Sequence, residues 1–190
     1  RGSGLIRELH EAEIWRAQGH QGKRISGGIS AQRLGTVPEI RAFSPNRMSA
    51  PGIPMFYGAL DKKTAVVEAT RHGDPVWDHA TVAAFRATRT LVVLDLANVV
   101  VPPKPSAFRD SNDPLVLAYQ DASFLRDFVE TVSKPVSDDP ARRGVDYVPT
   151  QVFTEFVLHA MGKATAPPVR INGIVYPSAE VPNGANVVLD

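Results

Sequence analysis

The apolar residues of this chain come in short runs, and strand-like and helix-like spacings follow one another without a fixed rhythm. MFYGAL (55–60), TVAAFRAT (81–88), TLVVLDL (90–96), GIVYPS (173–178) and NVVL (186–189) are bounded by turn residues and carry Val, Ile, Phe and Tyr as buried strands do. DPLVLAYQDASFLRDFVETVS (113–133) instead repeats apolar positions every three or four residues, which predicts a helix. A second helix is expected from about Pro149 to Met161, with the proline in its first turn and Gly162 at its stop. A third follows MFYGAL directly, capped by Asp61 and running from Lys62 to about His72. Strands and helices that do not strictly alternate predict an α+β or mixed α/β fold. At 190 residues with 43% apolar content, the chain has material for the core of one domain.

Charge and cysteine content narrow the chemistry. The 21 basic and 20 acidic residues are interspersed, and a net charge of +1 offers no stripe for a nucleic-acid backbone, although a small phosphate-bearing ligand is compatible. With no cysteine there are no disulfides, no thiolate catalysis and no classical zinc finger. No stretch approaches the ~20 apolar residues needed to span a bilayer, and the N-terminus lacks the pattern of a signal peptide, so neither a membrane span nor a leader is expected. Arg1-Gly2-Ser3-Gly4 has the look of a tag or cleavage scar, which leaves 5–190 as the domain. The abrupt stop after NVVLD suggests a larger parent protein. No repeat occurs, and the most irregular stretches are 19–54, 101–113 and 133–146. The first is long for a plain connector, and loops of that length usually carry function.

The segment NRMSAPGIPMFYGALDKKTAVVEAT places Arg47, Tyr57 and Glu68, spaced by ten and eleven residues, on a loop, a strand and a helix. A guanidinium in a Gly/Pro-rich loop can fork onto phosphate oxygens. A tyrosine at a strand end can stack on a flat heterocycle. A carboxylate on the next helix can accept a ribose hydroxyl or activate water. Singly, each has an ordinary reading: a solvated arginine, a core aromatic, and a glutamate paired on the helix surface with Arg71. Glu68 is flanked by Val66, Val67 and Ala69, and an acid among apolar neighbours needs a reason. Gln151 and Glu155 lie four apart on one helix face, where they either support the pocket or face solvent, solvent being slightly preferred. His72, Asp74, Asp78 and His79 cluster without a metal-ligand spacing, so no metal is expected. The Ser26-Gly27-Gly28 run only echoes a phosphate-binding loop.

In order along the chain, Trp15-Arg16, Asn46-Arg47-Met48, Pro51-Gly52, Tyr57, Thr64-Ala65-Val66-Val67-Glu68, TQVFTEF (150–156), NGIVYPSAE (172–180) and NVVL resemble the RES domain family from about 14 to 189. Asn46-Arg47-Met48 departs from the family's usual glycine-arginine-tryptophan and keeps the arginine. The resemblance implies an ADP-ribosyltransferase-like mixed β core with flanking helices, holding NAD as substrate. By the same resemblance, Arg16 and Arg47 hold the NAD phosphates, Tyr57 stacks near the nicotinamide, Ser178 hydrogen-bonds the ribose or carboxamide, and Glu68 stabilises charge at the anomeric carbon. The implied activity is that of a growth-inhibiting bacterial toxin that depletes cytoplasmic NAD by hydrolysis or phosphorolysis of the nicotinamide–ribose bond. ADP-ribosyl transfer to a macromolecule and non-catalytic sensing of NAD or ADP-ribose are the alternatives. The resemblance also implies an Xre-like antitoxin or immunity protein as partner. A homo-oligomer and delivery from another cell by a larger parent are compatible with it.

Overall fold

The computed structural model describes residues 5–23, 29–71, 77–133, 144–164 and 167–190. Arg1 to Gly4, the Ser26-Gly27-Gly28 run, His72 and Asp74 lie outside the described residues. Seven strands form one sheet: β1 (Ile6–Leu9), β2 (Glu13–His20), β3 (Phe56–Ala59), β4 (His79–Arg86), β5 (Leu91–Asp95), β6 (Gly173–Pro177) and β7 (Ala185–Leu189). Among the elements described in full, four α-helices accompany it: α1 (Ala31–Leu34), α2 (Lys62–Arg71), α3 (Pro114–Val132) and α4 (Val148–His159). The expected mixed α/β single domain is what the chain forms.

The strand order is β1-β5-β6-β7-β3-β2-β4, with β5 and β6 parallel and every other neighbour antiparallel. Alternation along β5, β6 and β7 divides adjacent residues between two clusters. Leu94, Ile174, Tyr176 and Val188 face one way and pack with Val129 of α3 and Val157 of α4. Val93, Val175 and Val187 face the other way, with Leu9, Ile14 and Phe56. These central strands are covered on both faces, which is why they read as unbroken apolar runs.

β1 and β2 carry no such run, and the sequence reading assigned them no strand. IREL and EIWRAQGH are mostly polar, and within β2 only Ile14 is fully buried. They are held by pairing instead, β1 along β5 over four residue pairs and β2 along β4 over eight. Between β2 and β3, by contrast, a single pair is formed, Trp15 with Ala59. The sheet therefore opens into a seam beyond Trp15, and both sides of that seam carry residues singled out above.

Candidate functional site

α2 begins where the sequence places its cap. The Asp61 carboxylate accepts from Thr64 N at 2.8 Å and from the Thr64 hydroxyl at 2.6 Å. Burial tends to raise the Asp61 pKa, but these bonds outweigh it and hold the carboxyl below its ordinary value. Thr64 and Ala65 are the buried residues of α2. Glu68, one turn on, projects from the same inward face.

There Glu68 Oε1 accepts from Ser178 Oγ at 2.6 Å and from Asn186 Nδ2 at 2.7 Å. Both lengths are those of charge-assisted bonds to a carboxylate. Ser178 follows β6, and its oxygen accepts from Glu180 N and Val181 N at 3.1 and 3.0 Å while its proton goes to Glu68. Its hydroxyl is thus saturated within the protein, whereas the family resemblance assigned that hydroxyl to the ligand. Asn186 is buried on β7, in register with Ala59 of β3 and Tyr176 of β6. Arg71 is ion-paired with Glu180 at 2.8 Å, so its recorded partner is not the one the helix spacing suggests.

Arg47 and Tyr57 come together through a tight turn. Asn46 and Ser49 exchange both backbone hydrogen bonds, at 2.9 and 3.3 Å, with Arg47 and Met48 at the tip. Met48 is buried in the core, with the Thr154 hydroxyl 3.3 Å from its sulfur. In this chain, then, the residue after the arginine is a core anchor. Half-buried Arg47 shares the turn, and its carbonyl accepts from the Thr150 hydroxyl. The Tyr57 hydroxyl lies 2.9 Å from Ser49 Oγ and accepts from Met48 N at 3.3 Å. Burial, only partly offset by these bonds, raises the Tyr57 pKa, so its phenol is neutral near pH 7. Tyr176, deeper on the same face, is pushed further up, first by burial and then by the charges of Tyr57 and Glu68. At the following Pro51-Gly52 turn, Gly52 has φ +88°, a conformation that favours glycine.

Gln151 corrects a sequence expectation. It is 8% exposed, and its amide nitrogen donates to the carbonyls of Asn46 at 2.9 Å and Ser49 at 3.2 Å. Its companion Glu155 has its carboxylate 3.3 Å from His159 Nε2 on the same helix. The buried face of α4 is Thr150, Gln151, Thr154 and Val157. That spacing was visible in the sequence, but three of the four residues are polar, so hydropathy masked it.

Arg16 stands across the seam on β2. Its guanidinium carbon lies 5.2 Å from the centroid of the Phe56 ring. Its Nη1 is buried with no hydrogen-bond partner among the described residues. Burial lowers the Arg16 pKa below its ordinary value, and Tyr57 partly counteracts this. A guanidinium stays cationic under such a shift. Leaving a buried donor unsatisfied costs about 1–3 kcal/mol, more when it is charged.

The structure thus brings Glu68 and Ser178 into direct contact and ties Tyr57 to the Arg47 turn, while Arg16 on β2 lies over the Phe56 ring, within electrostatic reach of Tyr57. Asn186 and Ser49 are the participants for which the sequence supplied no role; Asn186 stood out only as part of the closing strand pattern, and Gln151 takes the supporting role that the sequence ranked just below solvent exposure. Among the described residues, no group of three His, Cys, Asp or Glu could hold a metal, and no helix is long and apolar enough to cross a membrane. A separate cleft of about 860 Å³ lies beside Gln18, Arg33 and Arg41 and contains none of the five predicted residues.

A family model described as the RES domain matches residues 13–190, nearly the whole chain. No curated protein and no solved structure matches.

Proposed function

Because the chain belongs to the RES domain family, known from toxin–antitoxin systems, we propose that it binds NAD and breaks the nicotinamide–ribose bond. The observation that carries this reading is the Glu68 carboxylate fixed by two donors, Ser178 and Asn186, at the end of the seam that Tyr57 and Arg16 flank. In the proposed reaction the C–N bond electrons pass to the pyridinium nitrogen, and nicotinamide leaves as a neutral base without a general acid. Glu68 opposes the positive charge that develops on the ribose and orients the water or phosphate that attacks the anomeric carbon. A carboxylate already held in place needs no reorganisation as that charge appears.

The other residues bind. Arg16 offers a buried N–H that an anionic oxygen would satisfy, and Arg47 offers a second guanidinium, so the two suit a diphosphate. Tyr57, neutral and fixed through its hydroxyl, offers a ring for a flat base. In the cell this activity would be that of a cytoplasmic toxin restrained by an antitoxin or immunity partner.

Nicotinamide release from NAD by the purified protein, with and without inorganic phosphate, tests the reading. Phosphate dependence separates phosphorolysis from hydrolysis. Glu68→Gln is expected to keep NAD affinity and lose on the order of 10²–10³ in turnover. No release by the wild type at high enzyme concentration would sink the proposal.

A further inference from the structure

The face that α4 turns inward is polar where a packed helix is ordinarily apolar. Of its buried residues, Thr150, Gln151 and Thr154 carry hydrogen-bonding side chains and Val157 does not. Burying such groups is unfavourable unless each finds a partner. All three find one on the same distant turn, Asn46 to Ser49. The Gln151 amide nitrogen donates its two protons to the Asn46 and Ser49 carbonyls, at 2.9 and 3.2 Å. Those carbonyls already accept from each other's backbone N–H, so Gln151 fastens the closed end of the turn from outside it. The Thr150 hydroxyl donates to the Arg47 carbonyl at the tip, sharing its proton with the Tyr147 carbonyl 2.8 Å away. The Thr154 hydroxyl meets the sulfur of buried Met48. An apolar face could cover the turn equally well, but it would not fix the tilt of the peptide planes, nor therefore the direction in which Arg47 leaves them. A fully satisfied polar network selects one arrangement.

We propose that Gln151 and Thr150 are positioning residues, which aim Arg47 at the diphosphate of the ligand by holding the carbonyls of its turn. The inference rests on the reading above in taking a diphosphate as the group that Arg47 binds, and it requires no cleavage. The Tyr57 hydroxyl is bonded to the same turn, at Met48 N and Ser49 Oγ. ADP-ribose, which keeps the diphosphate and lacks the base assigned to Tyr57, is therefore the ligand that isolates Arg47.

Calorimetric titration with ADP-ribose of the wild type, Gln151→Met, Arg47→Ala and the double variant tests the inference. Methionine keeps the length of the side chain and removes both donors. The expected result is about tenfold weaker binding by Gln151→Met, and a double variant no weaker than Arg47→Ala alone, because a residue that acts through Arg47 then has nothing left to position. Equal binding by the wild type and Gln151→Met, losses that add in the double variant, or no ADP-ribose binding by the wild type each overturns the proposal. Thr150 separates positioning from stability. Thr150→Val removes the hydroxyl at nearly constant shape and should weaken binding. Thr150→Ser removes a buried methyl and keeps the hydroxyl, so it should lower the melting temperature and retain affinity. Affinity that instead follows the melting temperature marks a merely structural role and overturns the proposal; this pair decides the matter if Gln151→Met fails to fold. A wild type that binds ADP-ribose but releases no nicotinamide from NAD defeats the cleavage reading and leaves the positioning role standing.

Discussion

At the scale of single residues, Ser178 and Asn186 act on Glu68, and that can be measured. A serine that contacts the ligand would raise KM when removed, whereas one whose only proton is spent on Glu68 should act on turnover. Ser178→Ala and Asn186→Ala are each expected to lower kcat by about 10- to 100-fold, with little change in KM. Steady-state kinetics decides between the two, and a KM effect with unchanged kcat would return Ser178 to the ligand. The sequence could name Glu68 and Ser178 through the family pattern, but not that they touch. Their bond spans 110 residues, and no local spacing encodes it. Asn186 was less visible still: one asparagine in an apolar strand is ordinarily a turn neighbour or a strand end, and its role exists only once β7 lies beside β3.

Among the elements, α2 was the most legible. A capping aspartate, a helical run and a preceding apolar strand are all local signals, and Asp61 caps as the spacing predicts. Since the folded-state pKa of Asp61 lies below its ordinary 3.8, the stability it contributes is present above the carboxylate range and lost as pH falls through it. Asp61→Ala should therefore cost about 1 kcal/mol near neutral pH and progressively less as the carboxylate of the wild type is protonated in acid, which urea melts over a descending pH series would reveal. β2 was illegible for the opposite reason. Edge and seam positions tolerate Glu13, Arg16 and Gln18, so the period-two apolar signal that marks a half-buried strand is absent. The turn at Asn46–Ser49 is held largely from outside itself, by Tyr57 and by Gln151 more than a hundred residues away, and therefore read as irregular loop.

For the whole molecule, the seam between β2 and β3 is the decisive arrangement, and no property of either strand alone foretells it. Gly58 lies at its narrow end, where an added Cβ would come within 2.5 Å of Ile14 Cγ2 and 3.0 Å of the Trp15 carbonyl oxygen. A carbonyl oxygen cannot swing away as a side-chain tip can, so β2 would have to shift where one residue pair joins it to β3. Gly58→Ala is expected to destabilise the fold by about 1–3 kcal/mol. Nicotinamide release should fall by more than the unfolded fraction explains, which paired melting and activity measurements would show. Fold class was readable from the mixture of runs, whereas strand order was not, because β5 and β6 lie side by side while nearly eighty residues separate them in the chain. The two hydrogen bonds to Glu68 have a further consequence for the order of synthesis. The acid leaves the ribosome before its donors Ser178 and Asn186, which follow 110 and 118 positions later. A growing chain, or a fragment broken off before Ser178, carries the glutamate without either of these partners, so a cell making this protein would meet the assembled site only after both positions have been translated.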